Sequence, residues 1–302
     1  MLQVYLFGQF RLQTDGHPES LKPARAQELL SFLLLHPSRS HARERLAGVL
    51  WDDPEHGRAY LRKALWQLHT ALARCRQPCP GLLVADEQSV RLAPAACWSD
   101  VQAFEAAYEA CRSVPGPQLA AGQARALEAA VELYAADLLE SCYHEWCTVE
   151  RARLQHRYLS MLGQLMDFCE ETGSYEQGID YAMRVLRVDA ARESAHRQLM
   201  RLFYLGGHRT EALRQYRRCT AVLRDELAAH PSPQTTRLHE LIRADAPLAR
   251  LPGTPASNGA PPVDAAARTH LRRQLADLQQ QLRRTSRTIA SLLGDPGRPG
   301  AA

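Results

Sequence analysis

One helical face between Arg58 and Arg74 carries side chains suited to binding a polyanion. Four leucines spaced i, i+4, i+7, i+11 predict an amphipathic helix whose buried stripe consists of Leu61, Leu65, Leu68 and Leu72. The opposite side offers cations, hydrogen-bond donors and an aromatic ring without a carboxylate: Arg62, Lys63, Trp66, Gln67, Thr70 and Arg74. This composition favours contact with nucleic acid. The alternative is a surface helix that simply lacks acidic residues.

The elements around this helix define the domain that must position it. Residues 1–14 predict two short strands broken at a glycine, residues 24–35 a first helix and residues 43–51 a second. Residues 82–92 predict two strands around a tight turn. The order of strands, helix, helix, donor-rich helix and hairpin predicts a winged helix-turn-helix with a small N-terminal sheet. Its third helix would enter the major groove, and the hairpin would reach the backbone or the minor groove.

Local signals set the boundaries of these elements. Asp15-Gly16 is a strong hairpin turn. Pro23 opens the first helix, which closes near Pro37, and Ser40 is expected to cap the second helix. We therefore expect residues 1–98 to form one winged helix-turn-helix domain.

The stretch from Ser99 to Ile242 has helical periodicity throughout and no strand signal. It predicts one helix over Leu119–Leu139 and a long helix over Trp146–Glu171. The segment GSYEQGIDYAMRVL aligns with GHRTEALRQYRRCT at an offset of 34 residues, the period of a tetratricopeptide helix pair. We expect residues 99–244 to form a tetratricopeptide-like domain. It is either a scaffold or a surface that contacts another protein.

The C-terminal part changes in composition. Residues 245–264 are rich in Pro, Ala and Gly and predict a flexible linker, residues 265–294 predict a short amphipathic helix, and residues 295–302 predict a disordered tail. The helix carries a heptad seam that favours dimerisation through a coiled coil: Leu271, Leu275, Leu278, Leu282, Ile289 and Leu292. The alternatives are a single helix docked on the middle domain and a basic helix lying along DNA phosphates.

Charge is distributed unevenly along the chain. Residues 1–98 hold 12 basic and 9 acidic residues, residues 99–245 hold 17 and 21, and residues 246–302 hold 8 and 3. A basic first domain and an acidic second domain favour nucleic acid and protein partners, respectively. Because no apolar run could span a membrane and no signal peptide is apparent, we expect a cytoplasmic protein.

An enzyme is the least favoured class. Neither Lys22 nor Lys63 follows a glycine, so the sequence has no phosphate-binding P-loop, and we expect no cofactor and no catalytic residue. The eight cysteines include no C-x-x-C pair, and we interpret them as small core side chains. A redox or metal sensor built from Cys75, Cys79, Cys97 and His69 is the alternative.

Two segments resemble a known family. Residues 1–98, through LFGQFRL, RAQELLSFLLLHPSRSHARERLAGVLW and GRAYLRKALWQLHTALA, resemble the response-regulator type of winged helix used by the Streptomyces antibiotic regulatory protein (SARP) family. Residues 130–243 are similar to the bacterial transcriptional activator domain of that family, through ELYAADLLES, EWCTVERARLQHRYL, RESAHRQLMRLFYLGGHRTEALRQYRRC and PSPQTTRLHELI. The resemblance implies a mainly α protein that activates transcription with RNA polymerase and binds DNA at direct repeats.

The resulting hypothesis is a sequence-specific DNA-binding activator. Its predicted DNA-contacting residues are Arg58, Arg62, Lys63, Trp66, Gln67, Thr70, Arg74 and, in the wing, Arg91. The two adjacent cations suit guanine or phosphate, the glutamine suits adenine, and the tryptophan and threonine suit a thymine methyl group. A homodimer would bind half-sites about 10–11 bp apart. The alternative is a helical adaptor whose winged helix binds protein, which the salt dependence of DNA binding would distinguish.

Overall fold

The computed structural model describes residues 1–37, 39–51, 53, 55–77, 81–93 and 97–248. At the N-terminus, β1 (Leu2–Tyr5), β2 (Arg11–Thr14) and β3 (His17–Glu19) form an antiparallel meander. The turn between β2 and β3 contains Asp15 and Gly16 with φ of 48° and 80°, the left-handed values that a tight hairpin requires. The predicted hairpin turn is therefore confirmed.

Three helices follow this sheet: α1 (Ala24–Leu35), α2 (Arg43–Trp51) and α3 (Gly57–Arg74). Pro23 lies at the N-cap of α1, where its missing N–H costs no hydrogen bond. The short strand β4 (His41–Ala42) separates α1 from α2. Ser40 therefore precedes a strand, and its predicted role as a helix cap is wrong because the chain pairs with the wing at this point.

The wing is a second antiparallel sheet in the order β4, β6, β5. It contains β5 (Leu83–Ala85) and β6 (Ser89–Leu92), joined by a tight turn. Asp86 stabilises this turn, since its carboxylate accepts the backbone N–H groups of Gln88 and Ser89 at 2.8 and 2.7 Å. These two N–H groups lower the pKa of the Asp86 carboxyl, and the N–H of Gln88 has the largest effect.

The last strand, β7 (Trp98–Ser99), returns to the first sheet and pairs in parallel with β1. It leads directly into the helical part of the chain, whose helices are α4 (Asp100–Cys111), α5 (Ala121–Leu133), α6 (Glu145–Thr172), α7 (Tyr175–Val188), α8 (Glu193–Leu205), α9 (Arg209–Leu227) and α10 (Pro233–Arg243). The described part of the chain is thus mainly helical with a small N-terminal sheet and a wing, which confirms the predicted fold class.

The 34-residue offset corresponds to two successive helix pairs, because α7 and α9 begin at Tyr175 and Arg209. Gly178 and Ala212 are both buried at equivalent positions. A Cβ atom added at Gly178 would lie 3.0 Å from Cys169 Cβ and 3.0 Å from a Leu202 methyl group. Close approach of α6, α7 and α8 therefore requires a glycine at this position.

The helix predicted over Leu119–Leu139 ends earlier than expected, at Leu133. Residues 137–140, which we call the docking segment, instead hydrogen-bond to the chain after β1. The Gly8 N–H donates to Asp137 O at 2.8 Å, the Leu139 N–H to Leu6 O at 2.9 Å and the Glu140 N–H to Gly8 O at 3.0 Å. A continued helix would use these groups internally, so the long-range pairing replaces its last turns.

One hydrophobic core extends from the N-terminal sheet through α1–α3 into α4–α8. Phe7 lies at its centre, with ring centroids 5.2 Å from Phe104 and 4.8 Å from Tyr134. Phe32 of α1 contacts Trp146 of α6 edge to face at 5.5 Å. The predicted boundary between residues 98 and 99 falls within β7, and the core continues across it. The winged helix is therefore packed against the helical part.

The C-terminal predictions lie mostly outside the described residues. Of the predicted linker 245–264, residues 245–248 are described, and Leu248 packs against the cluster around Met200 and Ile242. The predicted helix 265–294, its leucine seam from Leu271 to Leu292 and the tail 295–302 lie outside the described residues. In the described part of the chain, no helix combines the length and apolar character needed to cross a membrane.

Candidate nucleic-acid interface

The predicted apolar stripe of α3 is its buried face, since Leu61, Leu65, Leu68 and Leu72 are at most 6% exposed. It packs against α1 and α2, and a Cβ atom added at Gly57 would lie 3.4 Å from Ala47 Cβ. Burial of this stripe fixes the rotation of α3 about its own axis. The polar face therefore points away from the domain.

The turn before α3 is organised by Asp53. Its carboxylate accepts the backbone N–H of His56 at 2.9 Å and that of Glu55 at 3.1 Å, and its carbonyl accepts the Gly57 N–H at 2.9 Å. The hydrogen bond from the His56 N–H has the largest effect on the Asp53 carboxyl and lowers its pKa. A charged Asp53 thus stabilises the turn before α3 and suits the positive end of the helix dipole.

Most of the predicted contact residues on α3 are accessible. Arg62, Lys63, Trp66 and Arg74 are exposed, and 67% of the Trp66 surface is open to solvent. An exposed tryptophan of this size is unusual on a helix whose other face is closely packed. Arg62 and Lys63 lie one turn before it on the helix, and Arg74 lies two turns after it.

The other predicted residues of α3 are less accessible or already have a partner. Gln67 and Thr70 are half-buried, and the Thr70 hydroxyl donates to the Trp66 carbonyl at 2.8 Å, which leaves its methyl group available. Arg58 is exposed but forms an ion pair with Glu44 of α2 at 3.3 Å. The face without acids is therefore bordered at Arg58 by a carboxylate from the neighbouring helix.

A groove of about 540 Å³ runs along one edge of this face. Lys63 and Gln67 line it from α3, and Glu28 lines it from α1. Arg25, at the start of α1, stacks its guanidinium 3.6 Å from the ring centroid of Tyr60. Arg25 was not among the residues predicted from the sequence, although its place in the first turn of α1 is visible there.

The wing presents Arg91 on an exposed position of β6, opposite Val84. Its turn carries Asp86 and Glu87, both exposed. The tip of the wing is therefore acidic while its strand is basic. Arg45, exposed in the first turn of α2, is a further cation that the sequence analysis did not select.

The domain junction also contains polar groups that sequence reasoning did not single out for this role. Asp100 is 2% exposed, and its carboxylate accepts the backbone N–H groups of Leu6, Phe7 and Val101 at 2.7–3.0 Å. Burial raises the pKa of this carboxyl, although the three N–H groups oppose the rise.

Arg151 performs a related task on the other side of the junction. Its guanidinium donates to the carbonyls of Leu138, Leu139 and Cys142 at 3.0, 2.9 and 3.1 Å. These carbonyls lie in or next to the docking segment, whose own N–H groups bond to the chain after β1. Arg151 thereby connects α6 to the winged helix through a single irregular stretch of backbone.

The alternative metal or redox site at Cys75, Cys79, Cys97 and His69 gains no support. Among the described residues, no group of three or more His, Cys, Asp or Glu side chains is arranged to hold a metal ion. Cys75 is buried and Cys97 half-buried, while His69 is exposed on α3. Cys79 lies outside the described residues.

Comparisons with known proteins show what the chain is similar to. Residues 99–243 match the family model of the bacterial transcriptional activator domain. The fold is similar to that in a structure of Mycobacterium tuberculosis EmbR in complex with a low affinity phosphopeptide, with 22% sequence identity and a TM-score of 0.67. That match covers 92% of this chain and 71% of the EmbR chain. A search of curated proteins found no match.

The structure thus packs a winged helix on a segment that matches the bacterial transcriptional activator domain. The resemblance to SARP-type regulators is thereby supported by the domain match over residues 99–243 and by the shared fold.

Proposed function

We propose that this protein activates transcription by binding promoter DNA through α3. The observation that carries the proposal is the exposed face of α3, where Arg62, Lys63 and Trp66 stand together without a carboxylate of their own helix. A helix with this face, as the third helix of a winged helix-turn-helix, is suited to enter the major groove. The buried leucine stripe holds the face in one orientation.

Each contact has a chemical role in this proposal. Arg62 and Lys63 bind guanine edges or phosphates, Gln67 pairs with adenine, and Trp66 and the Thr70 methyl group contact thymine methyls. Arg74 and Arg58 bind phosphates on either end of the helix, and binding of Arg58 replaces its ion pair with Glu44. Because this pair is exposed, its replacement costs little.

Residues outside α3 extend the interface. Arg91 of the wing binds backbone phosphate. Arg45, in the first turn of α2, binds phosphate where the first helix of the motif crosses the backbone. These contacts carry no sequence information, but they fix the position of α3 on the duplex.

The helical domain supplies the protein contacts. We propose that it contacts RNA polymerase or a partner protein, and that two protomers bind repeated half-sites about 10–11 bp apart. One continuous hydrophobic core joins the two domains. The helical domain therefore keeps a fixed position relative to a winged helix bound to DNA, which supports this proposal. The leucine seam of residues 271–292 is the proposed dimerisation element.

The testing experiment is immunoprecipitation of the protein from its native cells, with sequencing of the bound DNA. We expect a shared, repeated motif upstream of a few promoters, and the spacing of the repeats gives the half-site distance. Diffuse or absent enrichment would contradict the proposal and favour the adaptor hypothesis.

A second measurement separates these two hypotheses in solution. The affinity of the purified protein for a duplex that carries the motif is measured across a range of salt concentrations. A DNA-reading protein loses affinity steeply, with a log–log slope of about −0.9 for each phosphate contacted. An adaptor would bind the motif and a scrambled duplex equally and weakly.

A further inference from the structure

The exposed face of α3 has a different neighbour on each of its two flanks. With 3.6 residues per turn, Arg58 and Tyr60 lie roughly 200° apart around the helix, and Trp66 lies between them on the exposed side. On one flank, Arg58 pairs with Glu44 of α2 at 3.3 Å. On the other, the Arg25 guanidinium of α1 lies 3.6 Å from the Tyr60 ring centroid. The face is therefore bordered by α2 on one side and by α1 on the other.

Arg25 is held in place by a group of aromatic rings. The Tyr60 ring beneath it packs edge to face against Trp51, with centroids 6.3 Å apart, and stacks on His56 at 6.0 Å. A guanidinium stacked on a ring keeps its N–H donors at the edge of the stack, where they can bind an oxygen. Because the stack already restricts the side chain, binding costs Arg25 less conformational entropy than it costs a freely moving surface arginine.

Two carboxylates line the same groove, and both already have partners. Glu28 accepts the indole N–H of Trp51 at 2.8 Å and lies 3.4 Å from a ring nitrogen of His144. Asp53 accepts N–H groups of the turn before α3. In the described part of the chain, neither carboxylate forms an ion pair with Arg25. The Arg25 side chain is exposed and available to an anion from outside.

The groove places Arg25 next to residues that we assign to base contacts. Lys63 and Gln67 line it together with Arg25, on the flank of α3 that faces α1. The major groove of DNA is about 12 Å wide and admits one helix, so the two flanks of that helix face the backbones of opposite strands. A helix that inserts Lys63 and Gln67 therefore brings Arg25 to the backbone on the α1 side.

We propose that Arg25 binds a phosphate of the DNA strand opposite to the one that Arg45 contacts, a role that depends on α3 entering the major groove as in the proposed function. Arg45 lies in the first turn of α2, which borders the other flank of α3. The two arginines thereby bind both strands that border the groove. They fix the position of α3 between these strands and carry no sequence information themselves.

The salt dependence of DNA binding tests the charge of Arg25. The full-length protein is titrated into two labelled duplexes, one with the motif and one scrambled, across a range of salt concentrations. In Arg25→Ala, affinity should fall by the same factor on both duplexes, and the log–log slope should become shallower by about 0.9. The matched control is Arg11→Ala, because Arg11 also lies over a tyrosine ring, 4.9 Å from the Tyr5 centroid, but on the N-terminal sheet. It should leave affinity and slope unchanged.

Variants of Tyr60 test the aromatic support separately from the charge. Tyr60→Leu removes the ring and keeps Arg25, so affinity should fall while the salt slope changes less than in Arg25→Ala. The conservative Tyr60→Phe keeps the ring and should restore the affinity. Circular dichroism checks that each variant is folded.

A scan of the duplex with single methylphosphonates locates the phosphate, since each substitution removes the charge of one phosphate. In the original protein, we expect sensitive positions on both strands of a half-site. One of them should lose its effect in Arg25→Ala. A position on the other strand should lose its effect in Arg45→Ala.

Three results would overturn the proposal. They are an unchanged salt slope in Arg25→Ala, a loss of affinity on the motif duplex alone, and sensitive phosphates on one strand only. The last is measured on the original protein and does not depend on how the variants fold. In all three, the original protein still prefers the motif. Equal binding of both duplexes by the original protein would instead contradict the proposed function.

Discussion

The backbone N–H of Leu6 donates to both carboxylate oxygens of Asp100 at 2.9 Å. Leu6 directly follows β1, an inner strand of the N-terminal sheet, and Asp100 begins the first helix of the helical domain. The neighbouring Phe7 N–H donates to the same carboxylate at 3.0 Å. This one buried carboxylate therefore accepts hydrogen bonds from both N–H groups at the point where the chain leaves the sheet after β1. It thereby holds the start of the helical domain against the N-terminal sheet.

Asp100→Ala should destabilise the protein strongly. It leaves the buried N–H groups of Leu6 and Phe7 without an acceptor, and each such loss costs about 1–3 kcal/mol. We expect the free energy of unfolding to fall by about 2–5 kcal/mol, measured by urea denaturation with circular dichroism. The control is Glu140→Ala at an exposed carboxylate next to the same junction. A loss equal to that of the control would disprove the role of Asp100.

The double variant Arg62→Ala, Lys63→Ala should abolish specific DNA binding while the protein stays folded. Both side chains are exposed, so the free energy of unfolding should change by less than about 0.5 kcal/mol for each. We expect the log–log salt slope to become shallower by roughly 1 for each phosphate that the variant no longer neutralises. Arg217→Ala, Arg218→Ala removes the same charge from an exposed part of α9 and should leave affinity unchanged. Unaltered affinity in the α3 variant would reject the assigned face.

Trp66→Ala tests the aromatic part of the face. Removal of an exposed ring should not lower stability, but the missing apolar surface in the major groove should reduce affinity about tenfold, or ~1.4 kcal/mol. The matched control is Tyr143→Ala, since Tyr143 is 86% exposed and lies on the helical domain. Fluorescence anisotropy with a labelled duplex measures the DNA affinity of both variants. Equal affinities of the two variants would assign Trp66 to a different partner.

Local sequence patterns predicted the winged helix well because its signals are short in range. The leucine spacing of α3, the Asp15-Gly16 turn and Pro23 each act within one turn or one helix. The junction could not be predicted in this way. Asp100 and Leu6 are separated by 94 positions, so nothing near either residue indicates the other.

The end of α5 illustrates the same limit. The periodicity continues to Leu139, but the helix stops at Leu133 because the docking segment pairs with residues 6–8. Leu139 has a φ of 43°, a left-handed value that a leucine adopts only when tertiary contacts compensate for it. Helical periodicity indicates which face of a segment is apolar. It does not indicate whether a distant part of the chain will pair with that segment.

Asp167 of α6 lies in a crowded position. A Cβ atom added at Gly116 would collide with the Asp167 Cβ atom, so the 3-10 turn at Gly116–Gln118 requires this glycine. The Asp167 carboxylate accepts a hydrogen bond from the Gln198 amide. Burial, and next in the same direction the nearby charge of Glu170, raise the pKa of Asp167 to about 6.

This shift predicts a specific pH dependence. The ordinary pKa of an aspartate is 3.8, and the pKa of Asp167 in the folded protein is about 6. Between these two pH values, the folded protein binds a proton at Asp167 that the unfolded chain has released. The contribution of Asp167 to stability is therefore full below pH 3.8, decreases as the pH rises through this window and is lowest above it. Asp167→Asn keeps an acceptor for Gln198 and has no charge to bury. We expect it to match the original protein near pH 4 and to exceed its free energy of unfolding by up to about 3 kcal/mol at pH 8. Urea denaturation across this range measures the difference, with Asp180→Asn at an exposed position of α7 as the control. A difference that does not vary with pH would mean that Asp167 is charged at both values.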